Sequence, residues 1–181
     1  YVLMMYASYA MNAGFGIAVT VTGIIIQAKT IFDGVTDPIV AVIYDRLPVF
    51  KHIGKIRLFL LIGWATCSIA ALLMFRILAG KFSGVAGIVV FCLVYALFVV
   101  GYTIMSIGGA STISSALTND PKQRPLFTIF NTVGSLVGMG VMQFVAPILR
   151  ANVADYSSAD FYRVLTPIGV VISIVLTLLA V

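Results

Sequence analysis

The run Lys29-Thr-Ile-Phe-Asp33-Gly-Val-Thr36-Asp37-Pro38 sets three charged side chains at four-residue intervals. The stretch around it is apolar and includes Ile24, Ile25, Ile26, Ile39, Val40 and Val42. Residues four apart share one face of a helix, so Lys29, Asp33 and Asp37 form a single stripe with Thr30 beside it. Each Asp or Lys at a bilayer centre costs about 2.5–3.5 kcal/mol, and three unpaired ones about 7–10 kcal/mol, so the stripe needs compensation. Two carboxylates one turn apart repel when both are ionised. In a low-dielectric site one of them keeps a proton unless a cation sits between the two. That is a cation site in outline. Pro38 lacks an N–H, which leaves the carbonyl of Gly34 free to face an ion or a cavity. Lys29 is the charge partner, able to neutralise one Asp in the empty state and to release it when an ion enters. The competing reading is a structural salt bridge that holds two helices together.

The elements that position such a stripe must be membrane helices. The chain has 181 residues, 61% of them hydrophobic and 9% charged, with a mean hydropathy of +1.14. Soluble domains carry about 25% charged residues, so the class expected is an all-α integral membrane protein in contact with the lipid bilayer. The net charge of +5 is gathered mostly in short stretches between apolar runs, which speaks for orientation in a bilayer and against a nucleic-acid partner. Cys67 and Cys92 lie inside apolar runs and read as small packing residues. There is no nucleophile–base arrangement, metal-ligand spacing or glycine-rich nucleotide loop, so nothing points to an enzyme, a cofactor or a metal beyond a monovalent cation. His52, in a charged loop, reads as solvated.

Six apolar segments are predicted. Segment I, residues 1–11, falls short of the roughly 20 residues a span needs, and is read as an incomplete first helix ending at Asn12-Ala13-Gly14. Segments II to VI cover residues 15–44, 58–78, 85–116, 125–149 and 164–181. The loop after II carries Arg46, Lys51, Lys55 and Arg57 against Asp45, and the loop after IV carries Asp120, Lys122 and Arg124. These two loops hold six Lys/Arg, against four (Arg76, Lys81, Arg150, Arg163) in the loops after I, III and V. The bias places the loops after II and IV, and both ends of the six-helix unit, on the cytoplasmic side of the cell membrane. Trp64 reads as an interface anchor. In segment IV the hydroxyls of Tyr102, Thr103 and Ser106 are suited to line a pathway, while Gly108, Gly109, Ser111 and Thr112 suit close helix approach. In segment V, Gly134-Ser-Leu-Val-Gly138 with Gly140 makes a small-residue packing face. Asn131 is expected to face the interior as a substrate contact.

Three groups of residues carry a family likeness. They are Phe32-Asp33-Gly-Val-Thr36-Asp37-Pro38-Ile39 with Asp45-Arg46 and Gly54-Lys55-Ile-Arg57, then Tyr102-Thr103-Ile104-Met105, then the Asp120 to Arg124 loop. In this order the chain resembles the glycoside-pentoside-hexuronide:cation symporters, the melibiose permease group of the major facilitator superfamily. The resemblance implies twelve helices in two six-helix bundles, with this chain as the N-terminal bundle and a C-terminal six-helix half as its partner. It also implies alternating access and a sugar carried with Na⁺, Li⁺ or H⁺. By that likeness Asp33 and Asp37 match the family's cation-binding aspartates, Thr103 matches its helix IV threonine ligand, and Thr36 stands where an asparagine is common. The loop residues Asp45, Arg46, Lys55, Arg57 and Arg124 match the superfamily's conformational loops. The chain departs from the pattern where the family's melibiose carrier has a sugar-binding aspartate, here Ser106, and a tryptophan, here Ala110. The helix V arginine position holds Asn131, and Thr30 with Lys29 stands in place of the helix II arginine. The cation site is kept and the sugar site rebuilt, with Tyr102, Ser106 and Asn131 as the substrate candidates. The expected function is cation-coupled symport of a sugar or another small polar solute. The alternatives are a proton-coupled exporter or lipid-like solute carrier of the same superfamily, and a non-transporting membrane scaffold.

Overall fold

The computed structural model describes residues 7–48, 54–79, 81–82, 84–111, 120–152 and 159–180. They form six helices and no strand among the described residues: α1 (Ala7–Phe15), α2 (Val19–Arg46), α3 (Lys55–Leu72), α4 (Gly84–Met105), α5 (Arg124–Asn152) and α6 (Ala159–Ala180). The helices correspond in order to segments I to VI. Helices α3 and α4 each end in a wider π-helical turn, Leu73–Leu78 and Ser106–Ser111. Among the described residues four helical stretches, those of α3, α4, α5 and α6, are long and apolar enough to cross a membrane. At 28 residues α2 is about 42 Å long, more than the roughly 30 Å of hydrocarbon, but it carries the charged stripe.

The first break falls later than predicted. Asn12, Ala13 and Gly14 stay helical, and α1 closes at Gly16, whose φ of 63° is the left-handed conformation that glycine adopts without a Cβ clash. Asn12 works from inside the helix, its Nδ2 donating to the carbonyl of Ile17 at 3.1 Å. The last helix starts earlier than predicted, at Ala159 in place of 164. Asp160 in its first turn complements the helix dipole and accepts from Arg163 Nη1 at 2.9 Å, and Arg163 Nη2 donates to the carbonyl of Ala79. Helix α3 likewise begins at Lys55, not 58. The predicted end of segment IV at 116, Thr112, Lys51, His52 and the first six residues of segment I lie outside the described residues.

The core sits where the end of α1, the end of α3 and the first half of α4 meet the start of α6. Phe15 packs edge-on to Phe91, Phe91 stacks on Tyr95, and Phe75 stacks on Tyr162 across helices. Close approach through small residues joins α3 to α4. A Cβ on Gly63 would stand 2.5 Å from the Met105 nitrogen and 2.8 Å from the Gly101 carbonyl oxygen, and one on Gly108 would collide with Phe59. The predicted packing face on α5 is not used this way: a Cβ on Gly134, Gly138 or Gly140 meets no atom within 4 Å. Helix α5 packs on α6, and Gly134 and Gly138 are exposed. Both cysteines are free, with Cys67 Sγ donating to the Phe98 carbonyl at the α3–α4 seam.

Trp64 does not stand alone as an interface anchor, because its Nε1 donates to Ser173 Oγ at 2.9 Å, tying α3 to α6. Side-chain hydrogen bonds between membrane helices contribute about 1 kcal/mol or less. Trp64→Phe and Ser173→Ala are therefore each expected to lower unfolding stability by about that amount, and the double variant by less than their sum. A double-mutant cycle on denaturant unfolding in micelles checks this; strict additivity would mean that the bond contributes nothing.

Candidate functional site

The periodicity of α2 decides which residues meet α4. Thr22 and Val40 are buried and Ile26, Lys29, Asp33, Thr36 and Tyr44 half-buried, at three- and four-residue steps, while the opposite face is exposed. The inward stripe therefore carries Lys29 and Asp33, while Asp37 is exposed beside it. Lys29 Nζ pairs with Asp33 Oδ2, so the i,i+4 pair expected from the sequence forms. Asp33 Oδ1 is buried and has no hydrogen-bond partner among the described residues. One turn on, Asp37 sits at the open edge of the α2–α4 seam, where its Oδ1 accepts from the buried Thr103 Oγ1 of α4 at 3.0 Å. A neutral hydroxyl bonded to a carboxylate fixes its position but leaves its charge in place, and the hydroxyl oxygen keeps lone pairs for an ion.

Thr36 turns its hydroxyl back to its own helix, donating to the Phe32 carbonyl at 3.0 Å, and Thr30 does the same to Ile26. Pro38 lies inside α2 without breaking it, and Gly34, whose carbonyl it cannot reach, is open, with no atom within 4 Å of an added Cβ. On α4, Tyr102 and Ser106 flank Thr103 and are half-buried, with Ser106 opening the π-helical turn. Asn131 belongs elsewhere: it is exposed on α5, contrary to the interior position expected, and its carbonyl accepts from Ser135 Oγ.

The sequence reading missed Tyr95. It is buried, and its ring lies between those of Phe91 and Phe98. The available signal was spacing, since Tyr95 stands eight residues before Thr103 and so on the same face of α4.

At the ends of α2 and α3, Lys55 Nζ donates to the Asp45 carbonyl at 3.2 Å and lies 5.0 Å from the centre of the Tyr44 ring, which packs edge-on against Phe59. Arg46, Arg57 and Arg124 are exposed. No cluster of three or more His, Cys, Asp or Glu able to hold a metal occurs among the described residues.

An all-helical multi-pass membrane protein with a charged pair and a carboxylate–hydroxyl bond between two of its helices is the class these features define. The chain belongs to the MFS/sugar transport protein family, whose profile matches residues 1–181, a family of transporters and not of enzymes. It is 29% identical over 121 residues to the protein named "Putative glycoside/cation symporter YagG" of Escherichia coli strain K12. That stretch is 67% of this chain and 25% of the relative, so the chain spans about a quarter of that protein's length. No solved structure matches it.

Proposed function

We propose that the protein is a secondary active transporter that carries a sugar or other small polar solute together with a monovalent cation, Na⁺, Li⁺ or H⁺. The observation that carries the reading is the Asp37–Thr103 bond across α2 and α4, one turn from an Asp33 oxygen that is buried and unbonded. The cation lies between Asp33 and Asp37, with Thr103 and Thr36 as neutral oxygen ligands. It removes the repulsion between the carboxylates and stabilises one packing of α2 against α4. Tyr102 and Ser106, on either side of Thr103, then face the solute. Coupling is reciprocal, so the solute tightens the cation by the factor by which the cation tightens the solute. Alternating access needs an opposing bundle, which is the C-terminal half of the same protein, in the cell membrane with both ends of this half cytoplasmic. The loop residues Asp45, Arg46, Lys55, Arg57 and Arg124 guard the cytoplasmic face. Family membership and the named relative both support transport of this kind.

The test is a titration of the full-length protein with Na⁺, Li⁺ and H⁺, read by thermal stability, for the wild type, Asp33→Asn and Asp37→Asn. A cation-specific stabilisation that vanishes in both variants is expected. Equal responses in all three proteins would reject the site.

The Thr103 bond makes its own prediction. A hydrogen bond to a charged group contributes about 1.5–3 kcal/mol, which is tenfold or more in affinity. Thr103→Ala is therefore expected to weaken cation binding at least tenfold, and Thr103→Ser, which keeps the hydroxyl, to stay close to wild type. Binding isotherms for the two variants decide it.

A further inference from the structure

Lys29 is the only Lys or Arg at residues 19–45, 58–75 or 84–111, and α4 packs on both α2 and α3. Its ammonium is committed to one oxygen of Asp33, Oδ2, and both side chains are largely buried, at 19% and 24% exposure. The other oxygen, Oδ1, is buried without a partner, although a carboxylate has room for about four donors or ligands. Asp37 is held, among the described residues, by a neutral hydroxyl alone. Two carboxylates against one ammonium leave the stripe with a single negative charge. An ion can therefore be ligated by Asp33 through Oδ1 while Lys29 stays on Oδ2, with no exchange between ion and lysine.

From this arrangement we infer that Lys29 is the specificity-determining residue of the cation site. By staying paired with Asp33 it sets the site's charge at minus one, which matches one monovalent cation and rejects divalent ions. The inference rests on the symport reading above and adds the rule by which the site chooses an ion. A divalent ion in the site leaves an excess positive charge beside the largely buried Lys29–Asp33 pair, whereas a monovalent ion leaves none. Removing the ammonium reverses this, because the missing charge acts twice as strongly on a divalent ion as on a monovalent one at the same distance.

The experiment uses the full-length protein in lipid nanodiscs. Thermal stabilisation and binding are titrated with Na⁺, Li⁺, Mg²⁺ and Ca²⁺ for wild type, Lys29→Gln and Lys29→Arg. The expected result is a rise of at least tenfold in divalent over monovalent affinity in Lys29→Gln, with Lys29→Arg, which keeps the charge, within threefold of wild type. A ratio unchanged in Lys29→Gln overturns the inference while leaving symport intact. Should Lys29→Gln fail to fold, the wild type alone decides: one monovalent ion per protein is expected, and two ions, or divalent binding as tight as monovalent, overturn it. A wild type that binds none of these four ions overturns the inference, and the symport reading falls as well only if the H⁺ titration above is also flat.

Discussion

Asp37→Asn is expected to abolish cation-dependent uptake by the full-length protein while leaving it inserted and folded. Asparagine has the size of aspartate, and its carbonyl oxygen can still accept from Thr103 Oγ1, so the α2–α4 seam keeps its bond and its spacing. What disappears is the charge. With Lys29 on Asp33, the variant stripe is neutral and a cation meets no attractive field, so a loss of a hundredfold or more in cation affinity is expected. Asp33→Asn also leaves one carboxylate and one ammonium, but it strands Lys29 without its partner in an apolar segment. Breaking such a pair costs more than never forming it, and that variant is expected to lose thermal stability where Asp37→Asn does not. Uptake into vesicles with and without a cation gradient, beside unfolding curves of the two variants, tests both halves. Cation dependence retained in Asp37→Asn would remove Asp37 from the site.

That contrast turns on which contacts are local in the chain. The Lys29–Asp33 pair lies within one helix at i,i+4, and periodicity alone predicts it. The Asp37–Thr103 bond spans 66 residues, and the residue types there indicate only hydroxyls suited to a pathway. The link to Asp37 came through the family likeness. Tyr95 was hidden for a related reason: among Phe91, Phe98 and other apolar neighbours it reads as core, and its ring is buried between theirs. Trp64 has the chemistry of an interface anchor, and its partner is 109 residues away. The end of α1 was ambiguous because Asn12, Gly14 and Gly16 are all helix-ending types, and only the backbone shows that Gly16 takes the positive φ. Glycine spacing misled in the same way. A small-xxx-small run says that a helix can be approached closely, and not which face a neighbour meets, so α5 showed the stronger pattern while the tight contacts formed at Gly63, Gly101 and Gly108.

Those contacts connect packing to chemistry, and Gly63→Ala is the substitution that exposes the connection. The new Cβ would lie 2.5 Å from the Met105 nitrogen, 2.8 Å from its Cα and 2.8 Å from the Gly101 carbonyl oxygen. All three are backbone atoms, so no rotamer change relieves the clash and α4 must move away from α3. Overpacking of this kind costs about 1–3 kcal/mol or more. Gly101 and Met105 bracket Thr103 by two residues on either side, so the displaced segment is the one that holds the hydroxyl against Asp37. Gly63→Ala is therefore expected to lower both the unfolding temperature and the cation affinity, the latter toward that of Thr103→Ala, although residue 63 touches no ion. Gly23→Ala on α2, where an added Cβ meets nothing within 4 Å, should leave the cation affinity unchanged and not lower the unfolding temperature. Unfolding curves and cation isotherms of the two glycine variants test this together. A destabilised Gly63→Ala with unaltered cation affinity would show that the α3–α4 seam holds the fold without positioning Thr103.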